Sequence, residues 1–334
     1  MSVHTVIGRL PDSTGRRRTV AQHQCMTGIE ELRSRLLTTH DLIARGASAQ
    51  ALSRAVSTGA MIRLRPGFYV DAAARELSRD DRHLLMVLAA DRCLVAPVFT
   101  HWSAALVLGL PSWGLPLRQV SVSRYGHAQR SRNTRLTRHD VSPVEADEIV
   151  TVGGLQVTSP DRTVVDIGRA CGRDTSVAVA DAAVYGELAT AESLHVALDR
   201  AAGRSGLKKA RVAMTLMDGR SESVAETLSR LTFSDHCLPT PVTQEDIIDT
   251  HGNRVARVDF FWREHGVIGE CDGFGKYFDG HDLREVRRRL AREKDRDAEL
   301  VALGYRVIHW RWADLERPWL LAERIRRVLL AAAA

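Results

Sequence analysis

The chain has 334 residues, 44% apolar and 26% charged, with a formal net charge of +6, a balance that excludes a disordered polyelectrolyte. At roughly 150 residues per domain, this length fits two or three domains. The most apolar stretch, Leu84 to Phe99, is broken by Asp91 and Arg92, so no run of ~20 apolar residues marks a membrane span and no membrane partner is expected.

The N-terminus has no apolar core behind its basic residues. The five cysteines, Cys25, Cys93, Cys171, Cys237 and Cys271, are scattered singly. That spacing excludes a CxxC metal knuckle and argues against a disulfide framework, so a cytoplasmic location is expected. The positive charge is concentrated: residues 1–70 carry ten Arg against four acids. A localised basic excess is the footprint of a polyanion partner, most often nucleic acid. A basic surface without such a partner is the alternative.

Residues 1–29 are polar, contain Arg16-Arg17-Arg18, and read as a mobile basic arm. Apolar spacing from Glu30 to Leu37 suits a short helix. Thr39-His40-Asp41 opens another helix, which Gly46 stops. Ser48 caps a third to about Ser57, with Leu52 and Val56 on one face. Met61 to Arg65 and Phe68 to Val70 then flank Pro66-Gly67 as two short strands. Helix, Gly-containing turn, helix and hairpin make a winged helix-turn-helix, assigned to residues 30–72. Its DNA-binding candidates are Ser48, Gln50, Ser53 and Arg54 on the recognition helix, where Gln50 or Arg54 can read base edges. Arg63 and Arg65 on the wing are placed to contact phosphates. Protein contact through the same surface stays open.

Residues 73–215 read as a mixed α+β middle domain. Helices are expected at 80–94 and 101–108, a strand at 119–122, and a basic loop-like stretch at 124–138. Gly153-Gly154 signals a hairpin. Ser159-Pro160 opens a helix through Ala170, and two Ala-rich helices follow near 174–185 and 189–203. No catalytic constellation stands out in this region.

Residues 216–334 read as a third domain of α/β type. Ser221 to Leu231 is a capped helix. Strands are expected at 244–249, 254–262, 267–272 and 305–312, with a long charged helix at 283–304 and an amphipathic one at 318–330. If Glu264-His265 is a two-residue loop, Arg263 faces Gly266 and Asp259 stands opposite Glu270. Directly opposed residues share a face about 5 Å apart, and Asp272 lies on that face two residues on. Opposed like charges persist when one is protonated or when a cation sits between them, and hard oxygen ligands suit Mg²⁺ or Mn²⁺. A register slip of one residue would instead turn an acid to solvent.

Asp259, ten residues, then Glu270-Cys271-Asp272 resembles the core of the PD-(D/E)xK nuclease superfamily, in its very-short-patch repair endonuclease branch. The resemblance implies a restriction-endonuclease-like α/β domain in which Asp259 and Glu270 hold the metal. It also implies that Glu226, in Ser223-Val224-Ala225-Glu226-Thr227, assists from the preceding helix. The superfamily's Lys two residues after the Glu is Asp272 here, which puts the standard general base in doubt. Lys276 and Lys294 are the candidate replacements, and His281 lies nearby.

Gly59 to Tyr69, together with Gly154-Leu155-Gln156-Val157-Thr158-Ser159-Pro160-Asp161-Arg162-Thr163, resembles the AbiEi-like antitoxin family of abortive-infection systems. That resemblance spans about residues 33–170 and implies DNA binding by the winged helix, often at the protein's own promoter. Two functions follow as expectations. One is a DNA-binding protein with a metal-dependent endonuclease domain that hydrolyses phosphodiesters. The other is a non-enzymatic antitoxin-type regulator with a degenerate nuclease core. DNA is the expected partner in both, with a cognate toxin or a second subunit as a further one.

Overall fold

The computed structural model describes residues 10–11, 17–18, 20–123, 133–140, 142–272 and 283–332. They form a mixed α/β protein in two compact units, residues 1–179 with 186–215 and residues 180–185 with 216–334. The winged helix lies in the first of these units together with most of the middle region. Among the described residues no helix is long and apolar enough to cross a membrane.

The first unit opens with a short antiparallel pair, β1 (Leu10–Pro11) and β2 (Arg17–Arg18), then α1 (Val20–Arg35). The helix therefore takes in residues 20–29, which the sequence assigned to a mobile arm. Ile29 and Leu32 explain the difference: they share one helical face and are buried, as is Leu36 just past the helix end, so the last turns are anchored.

Next come β3 (Leu37–Thr38), α2 (Thr39–Ala44), α3 (Ala49–Ser57), β4 (Met61–Arg65) and β5 (Phe68–Asp71). The three strands form an antiparallel sheet in the order β3-β5-β4. Thr38 and Asp41 make a reciprocal capping box at α2. Gly46, at φ +89°, supplies the left-handed turn before Ser48 caps α3. Leu42, Leu52 and Tyr69 form the small core that fixes the two helices against the wing.

The middle region continues with α4 (Arg79–Asp91), β6 (Val98–Phe99), α5 (His101–Val107), β7 (Val120–Ser123), β8 (Thr137–His139), β9 (Ile149–Val152) and β10 (Leu155–Thr158). These strands make a mixed sheet in the order β8-β7-β6-β10-β9. β9 and β10 pair across Gly153-Gly154, both at positive φ, as the sequence predicts. Four helices follow: α6 (Pro160–Ala170), α7 (Arg173–Tyr185), α8 (Ala191–Arg200) and α9 (Leu207–Thr215). A Cβ on Gly168 would stand 3.1 Å from Ala210, so a small residue here lets α6 and α9 approach closely.

The second unit holds α10 (Val224–Asp235), β11 (Val242–Ile248), β12 (Arg254–Trp262), β13 (Val267–Asp272), α11 (Leu283–Ala302), β14 (Arg306–Arg311), α12 (Trp312–Leu315) and α13 (Pro318–Ala332). Its sheet runs β11-β12-β13-β14, with only the last pair parallel. One face packs Phe260, Trp262 and Trp310 against Phe233 of α10 and Ile325 of α13. The ring centroids of these aromatics lie 5.1 to 5.7 Å apart. Burying each such side chain contributes roughly 1.5–3 kcal/mol. The other face packs Val258, Phe261 and Ile268 against Leu300 of α11.

Candidate functional site

The winged helix presents the predicted DNA-binding residues unevenly. Gln50, Ser53 and Arg54 on α3 and Arg63 on β4 are exposed. Ser48 is also exposed, but its Oγ accepts the Ala51 N–H at 3.1 Å. Its first role is therefore a helix cap, worth about 0.5–2 kcal/mol. Arg65 is half-buried, and its Nη2 lies 3.5 Å from Thr137 Oγ1 in the middle region, so part of its hydrogen-bonding capacity is turned inward.

In the second unit, β12 and β13 pair Trp262 with Val267, Phe261 with Ile268 and Phe260 with Gly269. The paired register ends at Phe260 and Gly269, one residue short of Asp259 and Glu270. The turn differs from the two-residue loop: Arg263–His265 make one 3₁₀ turn and Gly266 closes it at φ +59°. The change of turn leaves the count of residues, and hence the register, intact.

The ladder stops at Phe260, and the Asp259 carboxylate turns into the gap between the strands. There its Oδ2 accepts the Cys271 N–H at 2.8 Å. Glu226 enters from the first turn of α10. Ser223 Oγ and the Glu222 N–H donate to it at 2.8 and 2.9 Å. Gln244 joins the two acids, its Nε2 donating to Glu226 Oε2 at 2.9 Å and to Asp259 Oδ1 at 3.3 Å. Gln244 sits at φ +55°, a left-handed conformation that costs a non-glycine residue about 1–3 kcal/mol. Burial, reinforced by the nearby Asp259 charge, pushes the Glu226 carboxyl up to about 6. Burial likewise pushes the Cys271 thiol up to about 12, which keeps it protonated and unreactive.

Glu270 and Asp272 have different company. Arg296 of α11 lies 3.5 Å from Glu270. His309 of β14 stands between Asp272, at 3.6 Å from Nδ1, and Asp297 of α11, at 2.9 Å from Nε2. Among the described residues these acids form no group of three with ligand atoms all within 4.8 Å of one another. Lys294 is exposed on α11. Lys276 and His281 lie outside the described residues.

Sequence reasoning missed Gln244, Arg296, Asp297 and His309. Only the Glu293-Lys294-Asp295-Arg296-Asp297 charge run hinted at any of them, because their partners lie on other strands or helices.

The first unit buries a polar interior that the sequence did not disclose. Arg162, 1% exposed, donates through Nη1 to Glu148 at 2.6 Å and through Nε to Asp166 at 2.8 Å. Arg169 donates to the other Asp166 oxygen at 2.7 Å. Burial alone would raise the Asp166 pKa, but His101, Arg162 and Arg169 outweigh it and hold it below its ordinary value. His101 is also buried, and burial drives its imidazole down against the opposite pull of Asp166 and Asp140.

The chain resembles known proteins in two comparisons. The chain is 32% identical over 179 residues to uncharacterized proteins of two Mycobacterium tuberculosis strains, CDC 1551 / Oshkosh and H37Rv. The match covers 53% of this chain and 63% of each relative, so it spans under two thirds of their length. Residues 116–219, which contain Glu148, Arg162 and Asp166, match the model of the AbiEi antitoxin C-terminal domain.

Proposed function

We propose that the protein is a DNA-binding regulator of the antitoxin type. The supporting observation is a winged helix with Gln50, Ser53, Arg54 and Arg63 exposed, in the unit that also holds most of the segment matching the AbiEi antitoxin C-terminal domain. The basic excess of residues 1–70 supports the reading, because phosphate neutralisation supplies most non-specific DNA affinity. A cognate toxin is the protein partner this reading implies.

The test is a mobility-shift titration of the full chain on duplex DNA from its own upstream region, against scrambled duplex, across a salt series. Tighter binding to the upstream duplex is expected. Each lost phosphate contact should lower the slope of log affinity against log salt by about 0.9. Equal binding to both duplexes, or none, overturns the reading.

A second reading is a metal-dependent endonuclease, supported by Gln244 joining Glu226 to Asp259 and by the elevated Glu226 carboxyl beside Asp259. In it Asp259 and Glu270 hold Mg²⁺ or Mn²⁺, and the ion, when bound, supplies an activated water. Glu226, Asp272, Lys276 and Lys294 are the assisting candidates. Asp272 in the usual Lys position and Arg296 beside Glu270 weigh against it. Nicking of supercoiled plasmid with Mg²⁺ or Mn²⁺, lost with chelator and in Asp259→Ala, supports this reading. Intact plasmid with retained duplex binding leaves the regulator alone.

A further inference from the structure

His101 at the start of α5, Asp140 just beyond β8 and Asp166 on α6 meet inside the first unit. One potential ligand atom from each lies within 4.8 Å of the other two. Exposure is 3% for His101, 8% for Asp140 and 0% for Asp166. Asp140 Oδ2 is buried and receives no hydrogen bond. It lies 3.9 Å from His101 Nδ1, beyond hydrogen-bond range. A buried carboxylate oxygen with no donor is costly unless a cation meets it. His101 itself is held at φ +49°, a conformation rare for a residue with a side chain and retained where surroundings over-determine it.

Asp140 Oδ1 accepts the Ser142 N–H at 3.3 Å, whereas the neighbouring guanidinium groups are taken up elsewhere. Arg162 and Arg169 pair with Asp166 and Glu148. Among the described residues Asp140 has an ion-pair contact only with His101. The Arg bonds do not exhaust Asp166, since each carboxylate oxygen carries a second lone pair. Outer hydrogen bonds of this kind commonly orient a carboxylate ligand.

We propose that His101, Asp140 and Asp166 form a buried site for a divalent transition-metal ion that ties α5, the end of β8 and α6 together. One imidazole nitrogen and two carboxylates suit Zn²⁺ or Mn²⁺ better than Ca²⁺, which takes six to eight oxygens. The site is unrelated to the acids of the second unit, and its function is structural: it pins three elements brought together from distant parts of the sequence.

The experiment is calorimetric titration of the chelator-treated full chain with ZnCl₂, and separately with MnCl₂. One equivalent is expected to bind, and at free ion about a hundredfold above Kd the melting temperature should rise by roughly 5–10 °C. Asp140→Asn and His101→Gln should each weaken that equivalent more than about tenfold. Hydrogen exchange on the wild type locates the ion even if a variant does not fold, with slowed exchange expected in α5 and α6. Three results overturn the site: no ion taken up from either salt, folded variants that retain the equivalent, or slowed exchange confined to other elements.

Discussion

Asp166 in the first unit and Glu226 in the second are both buried acids, yet their surroundings drive them in opposite directions. Asp166 faces His101 and two guanidinium groups, which hold its carboxyl below the ordinary value despite complete burial. Glu226 is held by neutral donors beside a second carboxylate, so its proton is retained to about pH 6. The first arrangement locks elements together. The second leaves an acid whose charge state changes near neutrality, and such tuning is what acid–base chemistry uses. Burial alone therefore says little about an acid's role; the charge of its partners decides it.

The sharpest way to break this contrast is to remove the guanidinium. Arg162→Met leaves Asp166 and Glu148 short of a buried partner and should destabilise the first unit by about 3–5 kcal/mol. Chemical denaturation read by circular dichroism would measure it. A cost below 1 kcal/mol would mean that the network is not what holds α6 in place.

In the second unit the tight point is steric. A Cβ on Gly269 would lie 2.6 Å from Trp310 and 3.0 Å from Trp262. Gly269→Ala should cost about 1–3 kcal/mol through overpacking. It should alter tryptophan fluorescence of the folded state, which a merely local backbone effect would not.

Glu226 sharpens the electrostatic half. A folded value of about 6 against an ordinary 4.5 means that the native state binds this proton more tightly than the unfolded chain does. Its destabilising effect, about 2 kcal/mol, is then full above pH 6 and is relieved as pH falls toward 4.5. Glu226→Gln should flatten that part of the stability–pH curve, measured by urea unfolding between pH 4.5 and 8.

The smallest effects separate scaffold from surface in the winged helix. Ser48→Ala should cost about 1 kcal/mol in stability by removing the α3 cap, with little change in DNA affinity. Arg54→Ala should do the reverse: stability within about 0.5 kcal/mol of the parent, and weaker, less salt-dependent DNA binding. Equal behaviour of the two variants in both assays would remove the distinction.

Local chemistry made much of the fold legible. A two-residue Glu264-His265 loop predicts the β12–β13 register that pairs Trp262 with Val267 and Phe260 with Gly269, although the turn is a 3₁₀ turn closed by Gly266. Gly153-Gly154, Ser159-Pro160 and Ser48 marked their elements because turn and cap chemistry acts over a few residues. Polar composition predicts an arm through residue 29, whereas α1 begins at Val20 and buries Ile29 and Leu32 on one face. β6 and β8, two and three residues long, are too short to carry any period.

From the sequence alone came the winged helix, the acid-bearing hairpin and the basic N-terminal charge, all set by contacts between near neighbours or by composition. Tertiary structure alone decided which acid meets which partner. Gln244 between Glu226 and Asp259, Arg162 between Glu148 and Asp166, and His101 beside Asp140 join residues up to dozens of positions apart. Such meetings depend on how strands and helices stack, and no spacing along the chain encodes that directly.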